Sequence, residues 1–163
     1  MTSTTGYSRL QIALHWIVGL LIVGQFVFKD SIVQAWETHL SGGTVIFTPL
    51  ILAHVAGGAV LLLFVLWRLV LRARGTTQPS HGDDHPALVL LAKVAHASLY
   101  AVLVALSVSG ALAWFGDIRA AAAAHDVLKT VLIALVALHV LAVPVHHFLL
   151  KTPVMGRMLR PGA

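Results

Sequence analysis

Apolar residues in this chain come in long blocks rather than alternating with polar ones or lining one helical face. Four blocks are long enough to span roughly 30 Å of hydrocarbon at about 1.5 Å per residue. They run from about Leu10 to Phe28, Thr48 to Leu71, Ala87 to Phe115 and Ala124 to Leu150. Each is apolar round most of its circumference, as a helix facing lipid is. Backbone groups in hydrocarbon must be satisfied internally, so the blocks predict four transmembrane helices. Asp30 to Phe47, with Trp36 and Gly42-Gly43, reads as a connection at the membrane interface. Gly75 to Pro86 reads as a polar turn punctuated by Gly, Pro and Asp. The alanine run Ala120–Ala124 reads as a helix start, and no internal repeat divides the chain, so residues 1–163 form one domain. The polar segment from Met1 to Arg9 ahead of the first block has the look of a secretory leader. No small-residue cleavage site follows, and Lys29, Asp30 and Gln34 come next, so the first block predicts a mature span.

Composition agrees with a lipid solvent. Apolar residues make up 58 % of the 163, charged residues only 10 %, and mean hydropathy is +0.90. A soluble domain carries roughly a quarter charged residues. There is no cysteine, which removes disulfides, thiolate zinc sites, cysteine-bound iron–sulfur clusters and covalent c-type haem attachment. The net charge of +5 would suggest nucleic acid for a soluble chain; here basic residues mark a membrane face instead, and no nucleic-acid partner is expected. With four spans, Arg9, Arg68, Arg72, Arg74, Lys93, Lys151, Arg157 and Arg160 fall on one side. The other side holds Lys29, Arg119 and Lys129 against Asp30, Glu37, Asp117 and Asp126. The positive-inside rule puts both termini in the cytoplasm, with the chain as a multi-pass protein of a bacterial inner membrane.

Histidine changes the picture. There are 10, nearly as many as the 11 Lys and Arg together. Five fall within or at the edge of spans: His15, His54, His96, His125 and His139. Ionisable groups inside a membrane are costly and mark function by default. His125 and His139 lie fourteen residues apart, which returns to nearly the same helix face about 21 Å further along the axis. Two ligands on one face at two depths suit two stacked cofactors, each needing a partner at its own level. His54 supplies the periplasmic level, and His15 or His96 the cytoplasmic one. Neutral imidazole is a good axial ligand for haem iron, and two of them leave the iron to electron transfer rather than oxygen binding. A lone membrane histidine is more often an interhelical hydrogen-bond partner; the matched depths are what point to ligation. Gly19 one turn from His15, Gly57 and Gly58 one turn after His54, and Gly110 fourteen residues after His96 offer room for a flat ring. Arg68, fourteen residues after His54, could pair with haem propionates. His39, His81 and His85 fall in loops and read as solvated. His146 and His147 follow Pro144, whose ring can kink a span and free a carbonyl; they read either as a polar pocket for a quinone head group or as interfacial anchors.

Several segments together resemble the bacterial cytochrome b561 family: Tyr7-Ser8-Arg9-Leu10-Gln11-Ile12-Ala13-Leu14-His15-Trp16, His54 with Gly57 and Arg68, His96 to Tyr100, and His139 followed by His146-His147. The resemblance covers nearly the whole chain, and extends more distantly to the cytochrome b subunits of membrane formate dehydrogenases and nickel–iron hydrogenases. It implies an all-α integral membrane protein, a four-transmembrane-helix bundle binding two b-type haems. By that resemblance His54 and His125 would hold the periplasmic haem and His15 and His139 the cytoplasmic one. His96 would line the cytoplasmic haem or the quinone site. A quinone, ubiquinone in kind, is implied near His146, fed by a periplasmic donor. One branch of the family is similar to superoxide oxidase; another expectation is a haem-anchor subunit for a partner dehydrogenase. The connection from Phe115 to His125 departs from the superoxide branch: it is short and carries only Arg119 as a base, where an anionic substrate gains from positive potential.

Overall fold

The computed structural model describes residues 7–75, 86–151 and 154–161. Met1–Gly6 and residues 76–85, which include most of the middle turn with His81 and His85, lie outside them. The elements run α1 (Arg9–Val27), α2 (Asp30–Leu40), α3 (Pro49–Ala73), α4 (Pro86–Gly116), α5 (Arg119–Pro144), a π-helical turn (Val145–Leu149) that continues α5, and α6 (Val154–Leu159). By length and composition α1, α3, α4 and α5 with its π turn are each long and apolar enough to cross a membrane. The four expected spans are therefore present. The last begins earlier than its apolar block, at Arg119, because the alanines ahead of it are the strongest helix formers and join its first turns.

Local chemistry sets the helix starts. Ser8 opens α1 with a capping box: its hydroxyl accepts from the Gln11 amide (3.3 Å) while the Gln11 side-chain oxygen accepts from the Ser8 amide (2.9 Å). Thr48 caps α3, with Pro49 in the first turn where its missing N–H costs nothing. Gly116, Asp117 and Ile118 make the short turn between α4 and α5, with Asp117 in the left-handed region at φ +52°, which its short polar side chain tolerates better than most.

One segment differs from expectation. Asp30–Leu40 is a helix rather than an irregular connection. Asp30 in its first turn and His39 in its last complement the helix dipole, and Ala35 is buried where α2 packs on α3. The helix ends at Leu40, and Gly42 just beyond it turns the chain away with φ +77°. His39 accordingly lies on a helix, and its Nε2 meets Asp117 Oδ1 at 2.8 Å, tying α2 to the α4–α5 turn.

α4 and α5 form the closest pair, with α1 against α3 and α3 against α4. Contacts between Arg68 and Gln11, and between the rings of His15 and His139, bring the start of α1 beside the ends of α3 and α5. We call this the basic end and the opposite one the α2 end. The core lies between them: Val18, Leu61, Val65, Leu103, Leu106 and Leu132 are buried together, with Ile22, Phe26 and Phe64 around them. Large apolar side chains elsewhere face outward, Leu20 and Phe148 at 71 % exposure each, as lipid-facing residues do. Because lipid is as apolar as leucine, this core is held by packing rather than by exclusion from water. Leu132→Ala, which opens a cavity at a site only 3 % exposed, is expected to cost about 2–3 kcal/mol and to lower Tm in a detergent-solubilised unfolding scan, whereas Leu20→Ala leaves it near the starting value.

Candidate functional site

All five span histidines are half-buried in the interior. They gather at two levels. His54 of α3 and His125 of α5 lie at the α2 end, within electrostatic reach of one another. His15, His96 and His139 lie at the basic end, with ring centroids 6.1 Å apart for His15 and His139 and 5.3 Å for His96 and His139. Among the described residues no group of three or more His, Asp or Glu side chains converges as a bare metal ion requires.

At the α2 end, His125 is seated on α4. Its Nδ1 reaches the Leu106 carbonyl at 3.0 Å and the Ser109 hydroxyl at 3.3 Å, while that hydroxyl donates to the same carbonyl at 3.1 Å. A carbonyl only accepts, so Nδ1 carries the hydrogen and Nε2 keeps its lone pair, the form a metal binds. Gly110 makes the seat possible: a Cβ there would lie 3.1 Å from Cε1 and 3.2 Å from Nδ1 of the ring. Gly110, fourteen residues after His96 and so expected at the level opposite to it, does lie at that level and contacts the His125 ring. His54 is different. Its Nδ1 is buried without a hydrogen-bond partner among the described residues. It lines a cleft of about 140 Å³ with Leu21, Gln25, Phe28 and Gly57. A Cβ at Gly19, Gly24 or Gly58 would meet nothing within 4 Å, so α1 and α3 carry open, side-chain-free surface beside both levels.

At the basic end, His96 Nδ1 donates to the Ala92 carbonyl at 2.6 Å, which fixes the same tautomer as in His125. His139 presents its ring to both neighbours: tilted 56° to His15 and nearly perpendicular, at 86°, to His96. Arg68 donates from Nη1 to the Gln11 carbonyl at 3.1 Å and faces His15 Nδ1 from Nη2 at 3.4 Å. Arginine only donates, so His15 as it stands holds its hydrogen on Nε2. Half-buried His146 sits on the π turn beyond Pro144, and exposed His147 stacks edge-on with Phe148 at 4.8 Å. The Trp16 indole donates to the Met158 carbonyl at 3.1 Å, fastening α6 to α1 at this end.

Sequence reasoning passed over Ser109 and Gln25. Gln25 had a readable signal, a carboxamide inside an apolar block. Ser109 had none, since its role depends on how α4 meets α5.

Fold and site define a class: a four-helix membrane protein with imidazoles gathered at two levels of its interior. The family model for prokaryotic cytochrome b561 matches residues 6–161, and the chain belongs to that family. It is a membrane haem b electron-transfer protein. Among its relatives, a protein named cytochrome b562 from Cereibacter sphaeroides is 29 % identical over 166 residues, covering 99 % of both chains. A probable superoxide oxidase, CybB, from Yersinia pestis is 28 % identical over 180 residues, covering 94 % of this chain and 95 % of that one.

The seat of His125 yields a prediction. Gly110→Ala is expected to crowd the ring, to loosen its bond to the Leu106 carbonyl and to lower haem bound per chain, measured as the pyridine haemochrome. Gly156→Ala, entering open space on α6 at the opposite end, serves as the control with the smaller loss.

Proposed function

We propose that the chain holds two b-type haems, one between His54 and His125 and one between His15 and His139, and carries electrons from a periplasmic donor to ubiquinone at the cytoplasmic side. The observation that carries this reading is the placing of interior imidazoles at two levels joined by α5, which bears His125 and His139 fourteen residues apart. When bound, each haem takes up and passes on one electron at its iron. The half-buried ring of His54, the open glycine surfaces and a sequence without thiols all fit such a group.

The choice of His15 over His96 rests on geometry. His15 and His139 stand 6.1 Å apart with rings tilted 56°, which would leave room to hold the group between them, whereas His96 stands 5.3 Å from His139, edge-on and bound through Nδ1 to the Ala92 carbonyl. The His15 tautomer points the other way, but moving one hydrogen between ring nitrogens is a small change beside moving a helix. Arg68, turned from His15, then supplies the positive charge for a propionate. His96, locked to Ala92, lines the pocket.

The charge pattern supports cytoplasmic termini in an inner membrane. Reducing a quinone takes two electrons and two protons. Half-buried His146, at the basic end, can hold a proton next to a head group bound beside the π turn. The relative named as a superoxide oxidase favours a second reading, with superoxide as the periplasmic donor. The rim weighs against it: Lys29 is paired with Asp30 and Lys129 with Asp126, each at 2.7 Å, which leaves little net attraction for an anion.

Two measurements test the reading. Reduced-minus-oxidised spectra of the purified protein are expected to show low-spin b-type bands with about two haems per chain. His54→Ala and His125→Ala should each remove one haem, His15→Ala and His139→Ala the other, and His96→Ala neither; full haem content in His139→Ala would overturn it. Superoxide consumption coupled to ubiquinone reduction, slowing with added salt, would select the second reading; no rate above spontaneous dismutation excludes it.

A further inference from the structure

Gln25 stands in the second half of α1, among Leu20, Ile22, Val23 and Phe26. A carboxamide surrounded by hydrocarbon needs a partner for each of its polar atoms. This one reaches across to α3 and lies over Gly57, where a Cβ would collide with its amide nitrogen. Gly57 follows His54 by three residues and so sits one turn along the same face. Gln25 and His54 line the same cleft. Within it His54 Nδ1 is buried with no hydrogen-bond partner among the described residues. His96 and His125 show what is missing, since each has its Nδ1 on a carbonyl oxygen.

We propose that Gln25 is the positioning residue for His54. Its side-chain oxygen, brought round by rotation about the terminal torsion, accepts the hydrogen of His54 Nδ1 and leaves Nε2 free to ligate. That bond joins α1 to α3 at the α2 end as the Arg68–Gln11 contact joins them at the basic end. Gly57 is then required because any side chain there would displace the carboxamide. The inference rests on the reading of His54 as a haem ligand. An acceptor on the far nitrogen makes a ligating imidazole more basic and fixes its orientation. A more basic ligand favours ferric over ferrous iron, so Gln25 lowers the midpoint potential of the haem at this level.

The test is a redox titration of the full-length holoprotein in detergent, with haem content and low-temperature electron paramagnetic resonance alongside. Gln25→Leu keeps the bulk and removes the acceptor. It is expected to retain both haems, to raise the potential of one of them, and to shift that haem's largest g value. A tenfold change in the ferric-to-ferrous equilibrium reads as about 59 mV. Gln25→Glu restores an acceptor and should hold that potential at or below the unsubstituted value. Gly57→Ala, which pushes the carboxamide away with Gln25 still present, should act in the same direction as Gln25→Leu and decides the matter if the leucine variant fails to fold. Unchanged potentials and g values in variants that keep both haems overturn the role of Gln25 alone, as does a common shift in Gln25→Leu and Gln25→Glu. Full haem content in His54→Ala instead overturns the ligand reading beneath it.

Discussion

An imidazole in hydrocarbon must be given something to do with both of its nitrogens, and much of this bundle is arranged around that demand. His125 is satisfied by a carbonyl and a hydroxyl of α4, reachable because Gly110 has no side chain. His96 takes a carbonyl of its own helix, and His15 meets Arg68. The close pairing of α4 with α5 and the Arg68 link between α3 and α1 follow from these bonds as much as from apolar packing. Packing alone gives weak direction in lipid, where one leucine contact resembles another. Polar contacts fix which helix faces which.

Between the two polar levels the spacing is regular. Leu61 lies seven residues after His54 and seven before Arg68, and Leu132 stands midway between His125 and His139. Leu103 lies midway between His96 and Gly110. All three leucines belong to the buried core. Seven residues bring a helix back to nearly the same face, so the face that carries histidine at the ends carries leucine in the middle. The relatives named as cytochrome b562 and as a probable superoxide oxidase match nearly the whole chain, so the resemblance extends beyond any single segment.

Much of this is legible in the sequence. The apolar blocks gave the spans to within a few residues, because lipid leaves a backbone almost no alternative to helix. The fourteen-residue intervals gave the two levels, because helical rise and twist are fixed. What escaped depends on which helix touches which. Gly110 falls at the level its spacing implied, but its contact with the His125 ring arises between α4 and α5. The spacing could not choose between His15 and His96, since both lie at the same depth and only ring orientation separates them. α2 was hidden because its polar, mixed sequence reads as a connection, and its partner Asp117 is far away in the chain.

The leucine layer also has an electrical meaning. It is apolar and uncharged, so its side chains offer a proton no group to ride on between the histidine levels, while electron transfer needs none. Charge moving alone between levels about 21 Å apart crosses roughly two thirds of the hydrocarbon thickness. Moving a full charge across the whole membrane involves about 2.3 kcal/mol per 100 mV, so this passage involves about 1.5. On the proposed direction, from the periplasm inward against an interior-negative potential, that work would oppose the flow. A bundle with that direction and two such cofactors would then feel the energisation of its own membrane and slow as the voltage builds.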